Sequence, residues 1–245
     1  MSFVNGLSYE YKNNQSDITI VFLHGWGMSG DCFEKIVHGV QDYSTLTLDL
    51  YGFGNSIEPQ DYFDTYEYSY RVFLLLKMLD IKNIVLVGHS FGGRLSILLS
   101  SIFEIDVRGI VLASSAGLNR FSIVKWLKIK KYKITKWLVK HKVLKEQVLE
   151  KFGSRDLKNA KPILKQVLKK VVCQDLSYLL KNINIKTLLI WDKKDKETPY
   201  WICKKFNKTI PLAKSKFYNT GRHFSIFYNV NKFSIDLGEF CESLQ

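Results

Sequence analysis

Cysteine, proline and methionine are scarce in this chain, whose 245 residues include four, four and three of them. The cysteines, Cys32, Cys173, Cys203 and Cys241, lie far apart and form no C-x-x-C pair. That excludes a zinc knuckle and a disulfide framework and leaves reduced thiols. With so little proline and only fifteen glycines, neither a collagen-like repeat nor a Pro-rich linker fits. No apolar run is long enough to cross a bilayer. The first fourteen residues lack the basic stretch and apolar run of a secretory signal. A cytoplasmic location is therefore expected. What remains is an ordinary globular composition, 46% hydrophobic and 14% aromatic, long enough for one large domain with a well-buried core.

Short aliphatic runs recur along the chain, each followed by turn residues and a longer segment with helical spacing. They are Ile18–Leu23, Thr45–Leu50, Ile84–Val87, Ile110–Ala113 and Thr187–Trp191, and a last strand is placed at Lys214–Tyr218. Runs nearly pure in Ile, Val, Leu and Thr suit strands covered on both faces, so the pattern predicts a mostly parallel sheet with crossover helices. Helices are predicted over Tyr66–Leu79, Phe91–Ser101, Trp201–Thr209 and Lys232–Ser243, and an edge strand over Leu7–Tyr11. The alternation breaks over residues 119–182, where apolar residues recur at three- and four-residue steps, predicting a helical insertion. This insertion holds 18 basic residues against 4 acidic, so the whole formal charge of +13 belongs to it.

Three segments carry chemistry. In Ile84-Val85-Leu86-Val87-Gly88-His89-Ser90-Phe91-Gly92-Gly93 an apolar strand runs into G-x-S-x-G and then into a helix. A serine on such a turn is exposed above the sheet edge, with the positive end of a helix dipole behind it. Such a hydroxyl needs a histidine base and a carboxylate to orient that base. Candidates follow in chain order: Asp195 in Asp192-Lys193-Lys194-Asp195-Lys196-Glu197-Thr198-Pro199, with Asp192 as its competitor, and His223 after the last strand. The other histidines are His24, His38, His89 and His141. His24 and His89 sit in turns and read as supports, and the other two have no companions.

These motifs, with the turn His24-Gly25-Trp26-Gly27 and the stretch Asp49-Leu50-Tyr51-Gly52-Phe53-Gly54-Asn55-Ser56, resemble the α/β-hydrolase family. The resemblance runs from about residue 18 to residue 240. It implies an α/β-hydrolase fold, in which residues 1–118 and 183–245 form the core and residues 119–182 an all-helical, lysine-rich cap. It implies a serine hydrolase, with Ser90 as nucleophile, His223 as base, Asp195 as orienting acid, and the N–H groups of Trp26 and Phe91 as the oxyanion hole. Departures from the family pattern are Tyr51 for proline, Asp192 for glycine and Arg222 for the glycine before the histidine. The expected reaction is hydrolysis of a carboxylic ester or thioester through an acyl-enzyme, without cofactor or metal. The alternatives are a C–C bond hydrolase of the meta-cleavage type and a hydrolase-like receptor. An acidic acyl carrier protein or an anionic membrane surface is the partner class that a basic cap suggests. Nucleic acid is set aside because the basic stretch falls where the family carries a cap. Ile134, Trp137, Leu138 and Leu144 are expected to cover the pocket, while Lys128, Lys130, Lys131, Lys133, Lys136, Lys140, Lys142 and Lys145 face water.

Overall fold

A computed structural model describes residues 2–119 and 123–245. Eight strands form one sheet: β1 (Ser2–Val4), β2 (Leu7–Lys12), β3 (Thr19–Leu23), β4 (Ser44–Leu48), β5 (Ile84–His89), β6 (Val107–Ala113), β7 (Lys186–Asp192) and β8 (Ala213–Tyr218). Their spatial order is β1-β2-β4-β3-β5-β6-β7-β8. Only the β1–β2 and β2–β4 pairings are antiparallel. The helices are α1 (Glu34–His38), α2 (Thr65–Met78), α3 (Phe91–Ser101), α4 (Ile123–Lys140), α5 (Arg155–Asn159), α6 (Pro162–Cys173), α7 (Tyr200–Thr209), α8 (Ser225–Tyr228) and α9 (Val230–Glu242).

Period-two alternation along the buried strands builds two cores, one on each face of the sheet. In β3, Val21 and Leu23 join one core and Ile20 and Phe22 the other. Leu86 and Val87 divide in the same way in β5, as do Leu189 and Ile190 in β7. This explains why the central strands are uniformly apolar. The helices begin where local chemistry allows. Asp64 caps α2 reciprocally with Glu67: Glu67 N–H donates to Asp64 Oδ1 at 3.0 Å, and Asp64 N–H to Glu67 Oε2 at 2.6 Å.

The six predicted parallel strands and the four predicted helices form with boundaries shifted by at most three residues. β6 starts at Val107, earlier than expected, because the pairing with β5 resumes past an irregularity at Arg108: Val107 lies opposite Ile84 and Gly109 opposite Val85, although Arg108 and Gly109 interrupt the apolar run. β1 was not expected. It pairs with β2 across a turn in which Asn5 and Gly6 take φ of 48° and 82°, the left-handed backbone that an Asn-Gly pair accepts readily.

The segment between β6 and β7 leaves and re-enters the core at one place. Leu176 N–H donates to the Gly117 carbonyl at 2.8 Å, Asn119 N–H to Asp175 Oδ2 at 3.1 Å, and Asn119 Nδ2 to the Cys173 carbonyl at 2.9 Å. Buried Arg94 of α3 donates to the Gln174 carbonyl at 2.8 Å. Within the segment, α6 turns Leu164, Val167, Leu168 and Val171 into the core. Helix α4 behaves otherwise. Of its described residues only Thr135 is buried, and the exposed Tyr132 lays its ring against Phe152 at 5.5 Å. Leu127, Ile134 and Trp137 are each more than half exposed, and Leu144 beyond the helix is also exposed. Ile134, Trp137 and Leu144 therefore do not seal a pocket as expected. Of the eight lysines expected to face water, seven do. The side chain of Lys128 lies outside the described residues.

Candidate active site

Ser90, Asp195 and His223 follow β5, β7 and β8, strands that lie within four neighbouring positions of the sheet, so all three arrive at its carboxyl edge. Ser90 takes φ 50° and ψ −105°, a conformation that costs a non-glycine residue on the order of 1–3 kcal/mol. Its backbone is held there from both sides. Ser90 N–H donates to the Ala113 carbonyl at 3.1 Å, and the Ser90 carbonyl accepts from Ala116 at 3.0 Å and Gly93 at 3.2 Å. Glycine is required nearby, because a Cβ on Gly92 would overlap the Leu23 carbonyl and come within 2.9 Å of the His24 carbonyl oxygen. The strand-to-helix turn thus depends on close backbone approach.

His223 connects the three side chains. Its Nε2 lies 3.0 Å from Ser90 Oγ and its Nδ1 lies 2.9 Å from Asp195 Oδ2. The carboxylate assigns the proton to Nδ1, leaving the Nε2 lone pair to accept the serine hydroxyl. His223 is buried and Asp195 has no exposed side-chain surface, whereas Ser90 is partly open to solvent. Asp195 Oδ1 accepts from the N–H groups of Glu197 at 2.8 Å and Thr198 at 3.0 Å. Burial pushes the Asp195 carboxyl up, but the hydrogen bonds from His223 and Thr198 and the nearby imidazole outweigh it and hold it below the usual range.

Asp192 serves elsewhere. Its two oxygens accept from Lys194 N–H at 2.7 Å and Arg222 N–H at 2.9 Å, so it fixes the turn before His223 instead of meeting the ring. Arg222 has φ 50°, which matches the glycine usual at this position, and its side chain is exposed. Thr198 and Glu197 were not singled out from sequence. Thr198 Oγ1 lies 2.7 Å from Asp195 Oδ2, 2.9 Å from the Ser114 carbonyl and 3.3 Å from His223 Nδ1. Glu197 Oε2 lies 3.4 Å from His223 Nε2. The only sequence signal for either was their place between Asp195 and Pro199.

Phe91 opens α3, so its N–H has no carbonyl one turn back in that helix. Trp26 N–H likewise has no backbone or side-chain acceptor among the described residues. The ring of Trp26 meets Phe91 at 5.4 Å and Phe53 at 4.9 Å, and Phe224 meets His223 at 5.3 Å, so aromatic groups flank the site. Two further histidines support it. His24 donates from Nδ1 to the Gly25 carbonyl at 2.7 Å and accepts Leu50 N–H at Nε2 at 2.9 Å. His89 donates from Nε2 to the His223 carbonyl at 2.9 Å, while its Nδ1 is buried without a partner. Burial depresses His24 to about 4 and His89 to about 3. Asp49 accepts from Gly30 and Asn55 N–H and takes no part in the cluster. Among the described residues no group of three His, Cys, Asp or Glu side chains could hold a metal ion.

The sequence pattern described as the alpha/beta hydrolase fold matches residues 18–140, which is half of the chain. The chain belongs to the alpha/beta hydrolase fold family. Within that family it is 28% identical to the uncharacterized hydrolase YugF of Bacillus subtilis, over 83% of this chain and 82% of that protein. It is 27% identical to Lipase 1 of Psychrobacter immobilis, over 84% of this chain and 71% of the lipase. Among solved structures, the esterase EaEST of Exiguobacterium antarcticum superposes with a TM-score of 0.76 at 19% identity, covering 96% of this chain and 95% of that one. This alpha/beta hydrolase is therefore an enzyme of the hydrolase class. Among its described residues no helix is long and apolar enough to cross a membrane.

Proposed function

We propose that the protein is a serine hydrolase acting on a carboxylic ester or thioester through an acyl-enzyme. The observation that carries this reading is the unbroken hydrogen-bonded line from Asp195 through His223 to Ser90. Ser90 Oγ attacks the carbonyl carbon as His223 Nε2 takes the hydroxyl proton. Asp195 keeps the Nδ1 tautomer and stabilises the imidazolium. The tetrahedral oxyanion accepts from Phe91 and Trp26 N–H, with the dipole of α3 directed at it. The imidazolium then protonates the leaving oxygen or sulfur. Water, activated by the same nitrogen, releases the acid and restores Ser90. The unpaired N–H donors and the fixed backbone of Ser90 support this reading because both are preorganised before substrate arrives.

A fluorophosphonate probe tests it. The probe should label the wild-type protein on Ser90, and Ser90→Ala should lose both the label and p-nitrophenyl ester hydrolysis while keeping its circular dichroism spectrum. Labelling elsewhere, or near-normal turnover by Ser90→Ala, removes Ser90 from the mechanism.

The reading also includes a partner. Leu127, Ile134 and Trp137 form a bare apolar ridge on α4, flanked by exposed Lys133, Lys136 and Lys140. Lysines beside apolar side chains of this size suit the boundary of an anionic lipid surface, where acyl substrates reside. An acidic carrier protein would use the lysines and leave the ridge unexplained.

A further inference from the structure

The loop that brings Asp195 to His223 carries a second carboxylate two residues on. Glu197 Oε2 stands 3.4 Å from His223 Nε2, the same nitrogen that lies 3.0 Å from Ser90 Oγ. The backbone around it is fixed, because Glu197 and Thr198 both donate their N–H groups to Asp195 Oδ1. Two carboxylates therefore bracket one imidazole. Asp195 is sealed behind Nδ1, while Glu197 is 61% exposed at the rim on the Nε2 side. Lys193, Lys194 and Lys196 share the loop and are exposed, yet among the described residues none of them is ion-paired with Glu197. Lys193 instead lies over the rings of Phe217 and Tyr200 at 4.9 and 5.7 Å.

With its proton on Nδ1, the imidazole offers Nε2 only as an acceptor. A carboxylate cannot hydrogen-bond to that lone pair, so before proton transfer Glu197 acts through its charge. Its position also decides which part of a substrate feels that charge. The leaving oxygen must approach Nε2 to receive the proton, so the leaving alcohol is the part of an ester held nearest Glu197. We propose that Glu197 is a specificity-determining residue that reads the charge of the leaving alcohol. It disfavours alcohols bearing a negative group near the scissile bond and favours neutral or cationic ones.

This proposal rests on Ser90 and His223 acting as described above, and the test separates the two readings. Two unit charges about 6 Å apart change a rate roughly threefold at the dielectric constant of water and about tenfold at half of it. Three phenyl butyrates serve as probes, carrying hydrogen, carboxylate or trimethylammonium at the meta position. In Glu197→Gln the kcat/KM ratio of anionic to neutral ester should rise about three- to tenfold, and the cationic-to-neutral ratio should fall by a similar factor. Glu197→Lys should move both ratios further in the same directions, and 0.5 M sodium chloride should shrink all the differences. Unchanged ratios, with Ser90 still labelled by fluorophosphonate, overturn the proposal and make Glu197 a solvated loop residue. An equal change for all three esters also overturns it, since Glu197 would then act on the imidazole alone. Failure of the wild type to label at Ser90 overturns the nucleophile assignment and this proposal with it.

Discussion

Lowering the pH from 8 to 5 should destabilise the protein through two buried histidines, His24 and His89, that lie outside the Ser90–His223–Asp195 line. His24 must be neutral, since its Nδ1 donates to Gly25 and its Nε2 accepts from Leu50; a proton on Nε2 would set two donors against each other. His89 is fully buried with an unpartnered Nδ1 and packs against His223 at a ring separation of 5.1 Å. Both folded-state values, about 4 and about 3, lie below the ordinary histidine value of 6.5. The unfolded chain therefore binds protons below about pH 6.5 that the native state refuses. Stability is full above that pH and is lost as the pH falls from there toward the folded values. Each refused proton gives a slope of about 1.4 kcal/mol per pH unit, so two give about 2.7. At pH 5 the loss is about 2 kcal/mol per histidine and about 4 kcal/mol in all, a large part of a typical domain's stability. The depressed carboxyls of Asp175, Asp195 and Asp236 add their share only near and below pH 4, the unfolded carboxylate range. Urea unfolding followed by tryptophan fluorescence at pH 8, 7, 6 and 5 measures this as a falling midpoint at constant m-value. His24→Gln keeps an acceptor for Leu50 N–H and His89→Gln keeps a donor for the His223 carbonyl, so each should remove about half of the slope. A midpoint that stays level between pH 7 and 5, or glutamine variants with the wild-type slope, would refute the reasoning.

Asp195→Asn should lower kcat by about a thousandfold or more by losing the tautomer control, with modest loss of stability. Asp192→Asn should show the reverse balance, because an amide facing Arg222 N–H leaves a buried donor unpaired at a cost of about 1–3 kcal/mol. Kinetics and urea midpoints on both variants check the ranking. Thr198→Val keeps the shape but removes a hydroxyl from Asp195. The loss of one hydrogen bond to a charged group, about 1.5–3 kcal/mol, should lower kcat/KM roughly ten- to a hundredfold. Changing Lys133, Lys136, Lys140 and Lys142 together to glutamate should abolish flotation with phosphatidylglycerol vesicles at low salt and leave hydrolysis of a small neutral ester intact. If wild type binds an acidic acyl carrier protein but not the vesicles, the lipid reading fails.

Much of the fold and the place of the candidate site were legible because the residues of that site sit where strands end. The aliphatic runs located the central strands, and the turns after them located Ser90, Asp195 and His223. Asp195 could not be separated from Asp192 by type, since both are acids on one loop. Their three-residue spacing turns one toward the ring and the other toward Arg222 N–H, which only coordinates report. Thr198 and Glu197 were silent for a related reason: a threonine and a glutamate in a polar loop acquire meaning only from what folds against them. Helix α4 was read correctly as helical, but its outward apolar residues were assigned inward. Period 3.6 gives the angle between side chains and not which side faces the core. The Asn5-Gly6 turn did carry a hairpin signal, one obscured by a first strand of only three residues.

The clasp that joins Gly117 to Leu176 and Asn119 to Asp175 draws together the two ends of the segment between β6 and β7, of which α6 is anchored in the core by Leu164, Val167, Leu168 and Val171. Its two feet are already together, so the strands of the sheet keep their register whatever length of chain lies between them. Doubling that length costs only about 0.6 kcal/mol of closure entropy. The stretch from α4 to the start of α6 can therefore change in size and charge while the clasp and α6 keep the core under Ser90, Asp195 and His223 in place. What the molecule contacts can then change without any change in how it reacts.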